Sequence, residues 1–266
     1  MTTTTPTTTT PLRVPGADGI AVAVHRWGSP GELPPVYLQH GFVADTRLKW
    51  VGTGTVAVLL SAGREVVGVD ARGHGRSDKP HDPAAYGELR MADDLRRVAD
   101  ALGHDSFDLA GYSMGATVAM LVAAADRRVR RLVVGGAGAA FVDPGGAARH
   151  RVLMEELAAA LEVADVADVR DPATVLFRRM ADALGADRRA LAAHARAVHT
   201  REVDLAAITA PTLVLSGDAD PLAVRPEALA AAIPGARVTV VPGDHSTTLR
   251  TPAFAAALVD FLGEAS

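Results

Sequence analysis

The sequence contains no cysteine among its 266 residues. Disulfide bonds, thiolate catalysis and cysteine-based metal sites are therefore excluded. No run of about 18 apolar residues occurs, so no membrane span is expected. Neither sign of charge is in large excess, because the sequence has 27 basic and 31 acidic residues and a net charge of only −4. Such a balance indicates neither nucleic acid nor an anionic membrane as a partner.

What remains is a chain with 48% apolar residues, long enough to form one large domain with a sizeable core. Its first 14 residues are rich in threonine and proline and have neither a basic region nor an apolar region of the kind found in secretory signals. This composition predicts a disordered tail over residues 1–14. With no export or membrane signal recognised, the cytoplasm is the expected location.

Short apolar runs alternate with longer amphipathic segments along most of the chain. The runs predict seven strands: Ile20–Trp27, Val36–Gln39, Glu65–Val69, Phe107–Ala110, Leu132–Gly135, Thr212–Ser216 and Val238–Val241. The amphipathic segments predict helices at Thr53–Ser61, Tyr86–Leu102, Met114–Ala125, Pro226–Ala232 and Pro252–Leu262. This alternation is typical of an α/β fold, in which a mostly parallel sheet is flanked by helices. An antiparallel edge is expected beside the first strand.

One stretch breaks the alternation. Residues 139–206 show only helical patterns, at His150–Leu161, Ala173–Leu184 and Arg188–Val198. We therefore predict a helical cap over 139–206, inserted into a core formed by 15–138 and 207–266. Phe177 in this segment is expected to contact substrate.

The segment Gly111-Tyr112-Ser113-Met114-Gly115 lies between a predicted strand and a predicted helix. This is the G-x-S-x-G pattern in the context that its chemistry requires. A sharp turn forces the serine into a strained conformation, and bulky side chains two residues away on either side would collide there. The pattern predicts that Ser113 is a nucleophile.

The acid and the base should follow the nucleophile in that order. The strand at Thr212–Ser216 leads into two aspartates, Asp218 and Asp220. We favour Asp220, because the loop needs a few residues to project past the strand end. The next strand leads into His245, where an imidazole could reach both Ser113 and the acid. All other histidines except His40 are expected to be polar surface residues: His25, His74, His81, His104, His150, His194 and His199.

An oxyanion hole is expected beside Ser113. Its predicted donors are the backbone N–H groups of Phe42, in the loop His40-Gly41-Phe42, and of Met114, which follows the nucleophile. Gly41 would let the backbone approach the reacting carbonyl closely. The side chains of Phe42 and Tyr112 are expected to line the substrate site.

Five motifs in order resemble the α/β-hydrolase superfamily, and most of all its cofactor-free esterases and haloperoxidase-like perhydrolases. They are His40-Gly41-Phe42, Asp70-Ala71-Arg72-Gly73-His74-Gly75-Arg76-Ser77, Gly111-Tyr112-Ser113-Met114-Gly115, Gly217-Asp218-Ala219-Asp220 and Gly243-Asp244-His245. The resemblance covers about 15–138 and 207–263. It implies that Asp220, at the fourth position of its motif, is the acid, and that the 70–77 loop is structural. Serine at the nucleophile position is unlike haloalkane dehalogenases and epoxide hydrolases, which carry aspartate.

The sequence thus predicts a hydrolase that cleaves a carboxylic ester, thioester or lactone of a small-molecule acyl substrate through an acyl-enzyme. Acyl transfer or perhydrolysis with the same triad, and a small-molecule receptor on the same scaffold, are the alternatives. No cofactor and no metal are expected: the glycine-rich turn after Gly135 has Phe141 where a dinucleotide-binding turn requires a small residue. The natural substrate and the oligomeric state are not encoded in any motif.

Overall fold

The structure is a computed structural model that describes residues 10–197 and 203–264. One eight-stranded sheet forms its centre, with the strand order β1-β2-β4-β3-β5-β6-β7-β8. The strands are β1 Leu12–Pro15, β2 Ala21–Trp27, β3 Val36–Gln39, β4 Val66–Asp70, β5 Phe107–Tyr112, β6 Val129–Gly135, β7 Thr212–Gly217 and β8 Arg237–Val241. The six strands from β4 to β8 in that order pair in parallel, whereas β1 and β2 form an antiparallel edge. The predicted α/β fold with a mostly parallel sheet is confirmed.

Helices cover both faces of the sheet. They are α1 Thr55–Ser61, α2 Glu88–Leu102, α3 Met114–Ala125, α4 Gly146–Glu162, α5 Pro172–Ala183, α6 Arg188–Arg196, α7 Pro226–Ala231 and α8 Pro252–Gly263. One apolar cluster joins α2, α3 and α7 to the first face, and a second cluster joins α1 and α8 to the other. Successive side chains of a strand point to opposite faces, so neighbours such as Tyr37 and Leu38 of β3 fall in different clusters.

The N-terminal segment differs from the prediction. The tail was predicted to extend to residue 14, but Leu12–Pro15 pairs antiparallel with β2, with Val14 opposite Val22. Val14 is buried, whereas its neighbours Arg13 and Pro15 are exposed. A four-residue strand with one inward side chain gives little apolar signal, and the preceding threonine run conceals it. Residues 1–9 lie outside the described part of the chain.

Helices α4, α5 and α6 occupy the chain between β6 and β7. They pack on one another through a separate apolar cluster that includes Leu157, Ala181 and Leu191. That cluster also contains Val43, from the loop after β3, so it joins the three helices to the sheet's carboxyl end. The predicted helix Arg188–Val198 ends at Arg196 in the structure, and Val198 lies outside the described residues.

None of the helices in the described ranges combines the length and the apolar content needed to cross a bilayer.

Charged residues are buried in ion pairs at the amino end of the parallel strands, opposite the end that bears the loop after β3. Asp108 of β5 has no exposed side-chain surface and accepts hydrogen bonds from both Arg64 and Arg130. Arg64 is itself almost fully buried and also donates to the backbone of Pro34, which precedes β3.

Asp108→Ala should lower the free energy of unfolding by about 3–5 kcal/mol, because it leaves the buried Arg64 guanidinium without a counter-charge. Asp93→Ala is the matched control. It removes an exposed i,i+4 pair with Arg97 and should cost no more than about 0.5 kcal/mol. Urea denaturation followed by circular dichroism measures both. Equal losses in the two variants would show that the buried pair contributes no more to the free energy of unfolding than the exposed pair does.

Candidate active site

Ser113 lies at the point where β5 ends and α3 begins. Its backbone has φ 58° and ψ −121°, a left-handed φ that serine rarely adopts. The turn is fixed from a neighbouring strand, since the Ser113 N–H donates to the carbonyl of Gly135 at 2.9 Å. This geometry raises the hydroxyl above the carboxyl end of the sheet, where ligands bind in open α/β folds.

Three glycines make this turn possible because the backbone around it is crowded. A Cβ atom on Gly111 would lie 2.0 Å from the carbonyl oxygen of Gly115, and one on Gly115 would lie 2.1 Å from that of Gln39. Gly41 faces the serine directly: a Cβ there would lie 3.2 Å from Ser113 Cβ. The loop after β3 is therefore packed against Ser113.

The two backbone N–H groups expected to form an oxyanion hole belong to Phe42 and Met114. Phe42 follows Gly41 in the loop that contacts Ser113, and Met114 is the first residue of α3. Neither N–H donates to another residue of the described ranges. Both donors are thus available, and the N-terminus of α3 adds a positive dipole end at the same place.

His245 and Asp220 form a close pair. Nδ1 of His245 lies 2.8 Å from Asp220 Oδ2 and 3.0 Å from Oδ1. The Asp220 side chain is fully buried, whereas Asp218 is exposed and accepts a hydrogen bond from the N–H of Gly243 at 2.9 Å. Of the two candidate aspartates, Asp220 therefore contacts the imidazole. Asp218 instead connects the loop after β7 to the loop after β8.

The imidazole lies beside the strand that bears the serine. The Tyr112 hydroxyl donates to the backbone carbonyl of His245 at 3.0 Å, and the two rings are 5.1 Å apart. A Cβ on Gly136 would lie 3.0 Å from His245 Cε1, which places the ring next to the strand end that also holds Ser113 N–H. Within the described residues the Ser113 hydroxyl makes no hydrogen bond; such bonds between nucleophile and base are often absent without substrate. Tyr112 is fully buried, and its hydroxyl and its ring both contact His245.

Sequence reasoning missed Lys49. It belongs to a π-helical turn, Arg47–Val51, and its Nζ lies 4.3 Å from the centre of the Tyr112 ring. Burial lowers the pKa of Lys49 to about 8, against an opposing attraction from Asp220. A cation is therefore placed over Tyr112, the ring that also contacts His245. No motif announces it, since the lysine is remote in sequence from all three site residues.

Phe42 and Phe177 are both half-buried, and their rings are 6.3 Å apart, which places α5 beside the loop after β3. Leu176, the neighbour of Phe177, points to solvent instead and is 60% exposed. A cavity of about 150 Å³ lies between that loop and the α5–α6 connection; it borders on Val43, His74 and Ala186.

The prediction that the remaining histidines lie on the surface is wrong for three of them. His25, His74 and His194 are buried. His25 Nε2 donates to the Asp70 carboxylate at 3.0 Å, and that pair joins β2 to the start of the 70–77 loop. Burial would raise the pKa of Asp70, but the hydrogen bond to His25 and the nearby His40 lower it below its usual range. His199 lies outside the described residues.

A family model described as alpha/beta hydrolase fold matches residues 34–168, half of the chain. The chain belongs to this family. An epoxide hydrolase of Caballeronia sordidicola is 38% identical over 87 residues, which are 33% of this chain and only 26% of that protein.

Two solved structures match over nearly their whole length. A hydrolase from Pseudomonas aeruginosa PA01 is 29% identical, with a TM-score of 0.77 over 96% of this chain and 98% of that one. The enol-lactonase from Burkholderia xenovorans LB400 is 25% identical, with a TM-score of 0.73 over 95% and 100%. The chain is therefore similar to hydrolases that are named for different substrates.

Gly115→Ala should destabilise the fold by about 3 kcal/mol or more, because the new methyl group would meet the backbone of Gln39 rather than a side chain that can move. Gly263→Ala is the control: among the described residues, no atom outside its own helix turn lies within 4 Å of a Cβ there, and its change should stay within about 0.5 kcal/mol. Thermal denaturation of both variants measures the difference. A Gly115→Ala protein as stable as the wild type would show that the turn can relax.

Proposed function

We propose that this protein is a serine hydrolase that cleaves a carboxylic ester, thioester or lactone through an acyl-enzyme intermediate. Ser113 is the nucleophile, His245 the general base and Asp220 the acid that orients the base. The observation that carries the proposal is the buried Asp220 carboxylate on His245 Nδ1, at the same strand ends as the strained Ser113. The full-length similarity to an enol-lactonase supports the substrate class.

The reaction follows from this arrangement. Asp220 fixes the His245 tautomer that has its proton on Nδ1, which leaves Nε2 free to accept the Ser113 proton. Ser113 Oγ bonds to the substrate carbonyl carbon, and the carbonyl oxygen becomes an oxyanion. The N–H groups of Phe42 and Met114 donate to that oxygen. Collapse breaks the ester bond while His245 returns the proton to the leaving oxygen or sulfur. Water then attacks the acyl-enzyme by the same steps, releasing the acid and restoring Ser113.

Substrate selection belongs to the helices α4–α6, which we propose act as a cap over the site. The contact between Phe42 and Phe177 supports this role, because it joins an oxyanion-loop side chain to α5. An apolar acyl group beside Phe42 would then also touch the cap. Water is excluded from such a site, which strengthens the hydrogen bonds to the oxyanion.

Ser113→Ala should lower ester turnover by about 10⁴-fold or more while the circular dichroism spectrum stays unchanged. The assay is a p-nitrophenyl ester series from acetate to decanoate, run beside labelling with a fluorophosphonate probe and beside an epoxide substrate. Wild-type labelling with esterase turnover, both lost in the variant, is the expected result. Epoxide opening that survives the substitution would overturn the proposal.

Asp220→Asn should reduce kcat by about 10⁴-fold, since an amide cannot stabilise the imidazolium and can favour the wrong tautomer. Asp218→Asn is the matched control from the same loop. It is exposed and keeps an oxygen that can accept from Gly243, so its kcat should change by less than about threefold. Similar losses in the two variants would contradict the assignment of the acid.

Phe177→Ala should move the preferred acyl chain towards longer esters by at least one methylene, with discrimination changing by about 1–3 kcal/mol. Leu176→Ala, the change at the exposed neighbouring residue, should leave the chain-length profile as it is. Labelling by a small fluorophosphonate should be equal in both variants. Identical ester profiles for Phe177→Ala and wild type would show that α5 does not border the acyl site.

A further inference from the structure

Three histidines from separate parts of the chain meet where the helical segment packs on the sheet. His40 precedes the oxyanion-loop glycine, His74 belongs to the 70–77 loop, and His194 is on α6. The ring centres of His40 and His74, and those of His74 and His194, are 5.3 Å apart. We call these three residues the histidine cluster. All three are buried, with exposures of 0%, 3% and 0% in chain order.

Aromatic rings complete the packing around His194. The ring of Tyr86 stacks on it at 5.4 Å and 11°, and Phe42 meets it edge-on at 5.2 Å. Phe42 also packs against His74 at 5.6 Å. His194 thus brings α6 into contact with the side chain of Phe42, whose N–H is one of the two proposed oxyanion donors.

The ring nitrogens of the three histidines differ in whether they have hydrogen-bond partners. His40 has a partner on each side, since its Nε2 accepts from the N–H of Ala71 and its Nδ1 lies 2.8 Å from the carbonyl of Gly41. His74 Nδ1 reaches the carbonyl of Arg72, but its Nε2 has no partner in the described residues. Neither nitrogen of His194 has a partner there either. A proton added to His194 would therefore create a buried cation without an acceptor.

The charged groups around the cluster do not offset such a cation. Arg72 and His40 oppose a charge on His194. His74 faces His40 and His194, with only a weaker attraction from Asp70. The cavity that His74 borders is also lined by Asp45, Lys79 and Asp187, a mixed set, and Tyr86 is a neutral phenol. Burial lowers the pKa of His194 to about 3, and it lowers that of His74 well below its usual value.

We propose that His194 is a positioning residue that holds α6 against Phe42 only while its ring is neutral, so that acidification undocks the helical segment from the oxyanion loop. The sign follows from linkage. In the docked state the pKa of His194 lies below the ordinary value of 6.5, so docking is favoured at full strength above pH 6.5. The contribution is lost progressively as the pH falls below that value, because the undocked state binds a proton that the docked state does not.

Hydrogen exchange tests this without any need for catalysis. The α6 amides of the full-length protein are followed by mass spectrometry across the pH range and corrected for the intrinsic exchange rate. Between about pH 7.5 and about pH 5.5 the opening of α6 should increase about tenfold for His194 alone, and more if His74 also hydrates. At each pH the amides of β5 should stay more protected than those of α6, because α6 is expected to open while the sheet remains folded.

His194→Phe removes the titration and keeps a ring for Tyr86 and Phe42, with no hydrogen bond lost within the described residues. Its α6 opening should respond about tenfold less to the same pH change. Asp93→Ala, a change at an exposed residue of α2 that removes no histidine, should behave as the wild type. A wild-type pH response retained in full by His194→Phe would overturn the proposal.

A measurement on the wild type alone covers the case in which His194→Phe fails to fold. In the ¹³C–¹H spectrum, the His194 ring should remain neutral until α6 opens. A His194 that titrates near 6.5 while the α6 amides stay protected would likewise overturn the proposal.

Discussion

The site depends on one steric constraint, which is the room left around the backbone of Ser113. Its positive φ turns the chain from β5 into α3 within a single residue, and this is possible only because glycines stand where any Cβ would strike the backbone. Gly115 lies against Gln39 at the end of β3, and Gly41 lies against Ser113 itself. The same contacts that allow the strain also set the distance between Ser113 and the loop after β3, so the proposed nucleophile and its proposed N–H donors are positioned together.

The other site residues, Asp220 and His245, follow strands that lie on the opposite side of β5 from β3. β7 pairs in parallel with β6, and β8 with β7, so the loops after them emerge at the same edge of the sheet as the end of β5. Asp220 is buried by its loop and bonded to His245, while Asp218 two residues earlier joins the loops by accepting from Gly243. The spacing of two residues separates a structural aspartate from the one that meets the imidazole. Tyr112 contacts His245 through its hydroxyl, and Lys49 lies over the Tyr112 ring.

Most of the fold and the turn at Ser113 could be predicted from the sequence. Buried parallel strands are short apolar runs, and the glycines that the turn requires for steric reasons form the recognisable G-x-S-x-G pattern. Seven of the eight strands were predicted within a few residues, whereas β1 was missed because only Val14 of its four residues faces the core. The choice between Asp218 and Asp220 needed a loop conformation that no local pattern fixes. Lys49 and the buried histidines were missed because their surroundings are built from segments far apart in sequence; a histidine on α6 reads as a surface residue until Tyr86 and Phe42 are placed around it.

The buried titratable groups fall into two kinds, and their locations differ. In the sheet, Asp108 is matched by arginines and Asp70 by His25 and backbone N–H groups. The lowered pKa of Asp70 means that its contribution to stability is present above its ordinary value of 3.8 and is lost only as the pH falls further. At the contact between α6 and the oxyanion loop, by contrast, His74 and His194 are buried without a counter-charge, and the stability they give is lost below the ordinary histidine value of 6.5. The two windows do not coincide. On the proposal made above, mild acid acts first on the surface that joins the helical segment to Phe42, and the buried carboxylates of the sheet are affected only at lower pH. The segment proposed as a cap is then the part whose attachment is sensitive to mild acid.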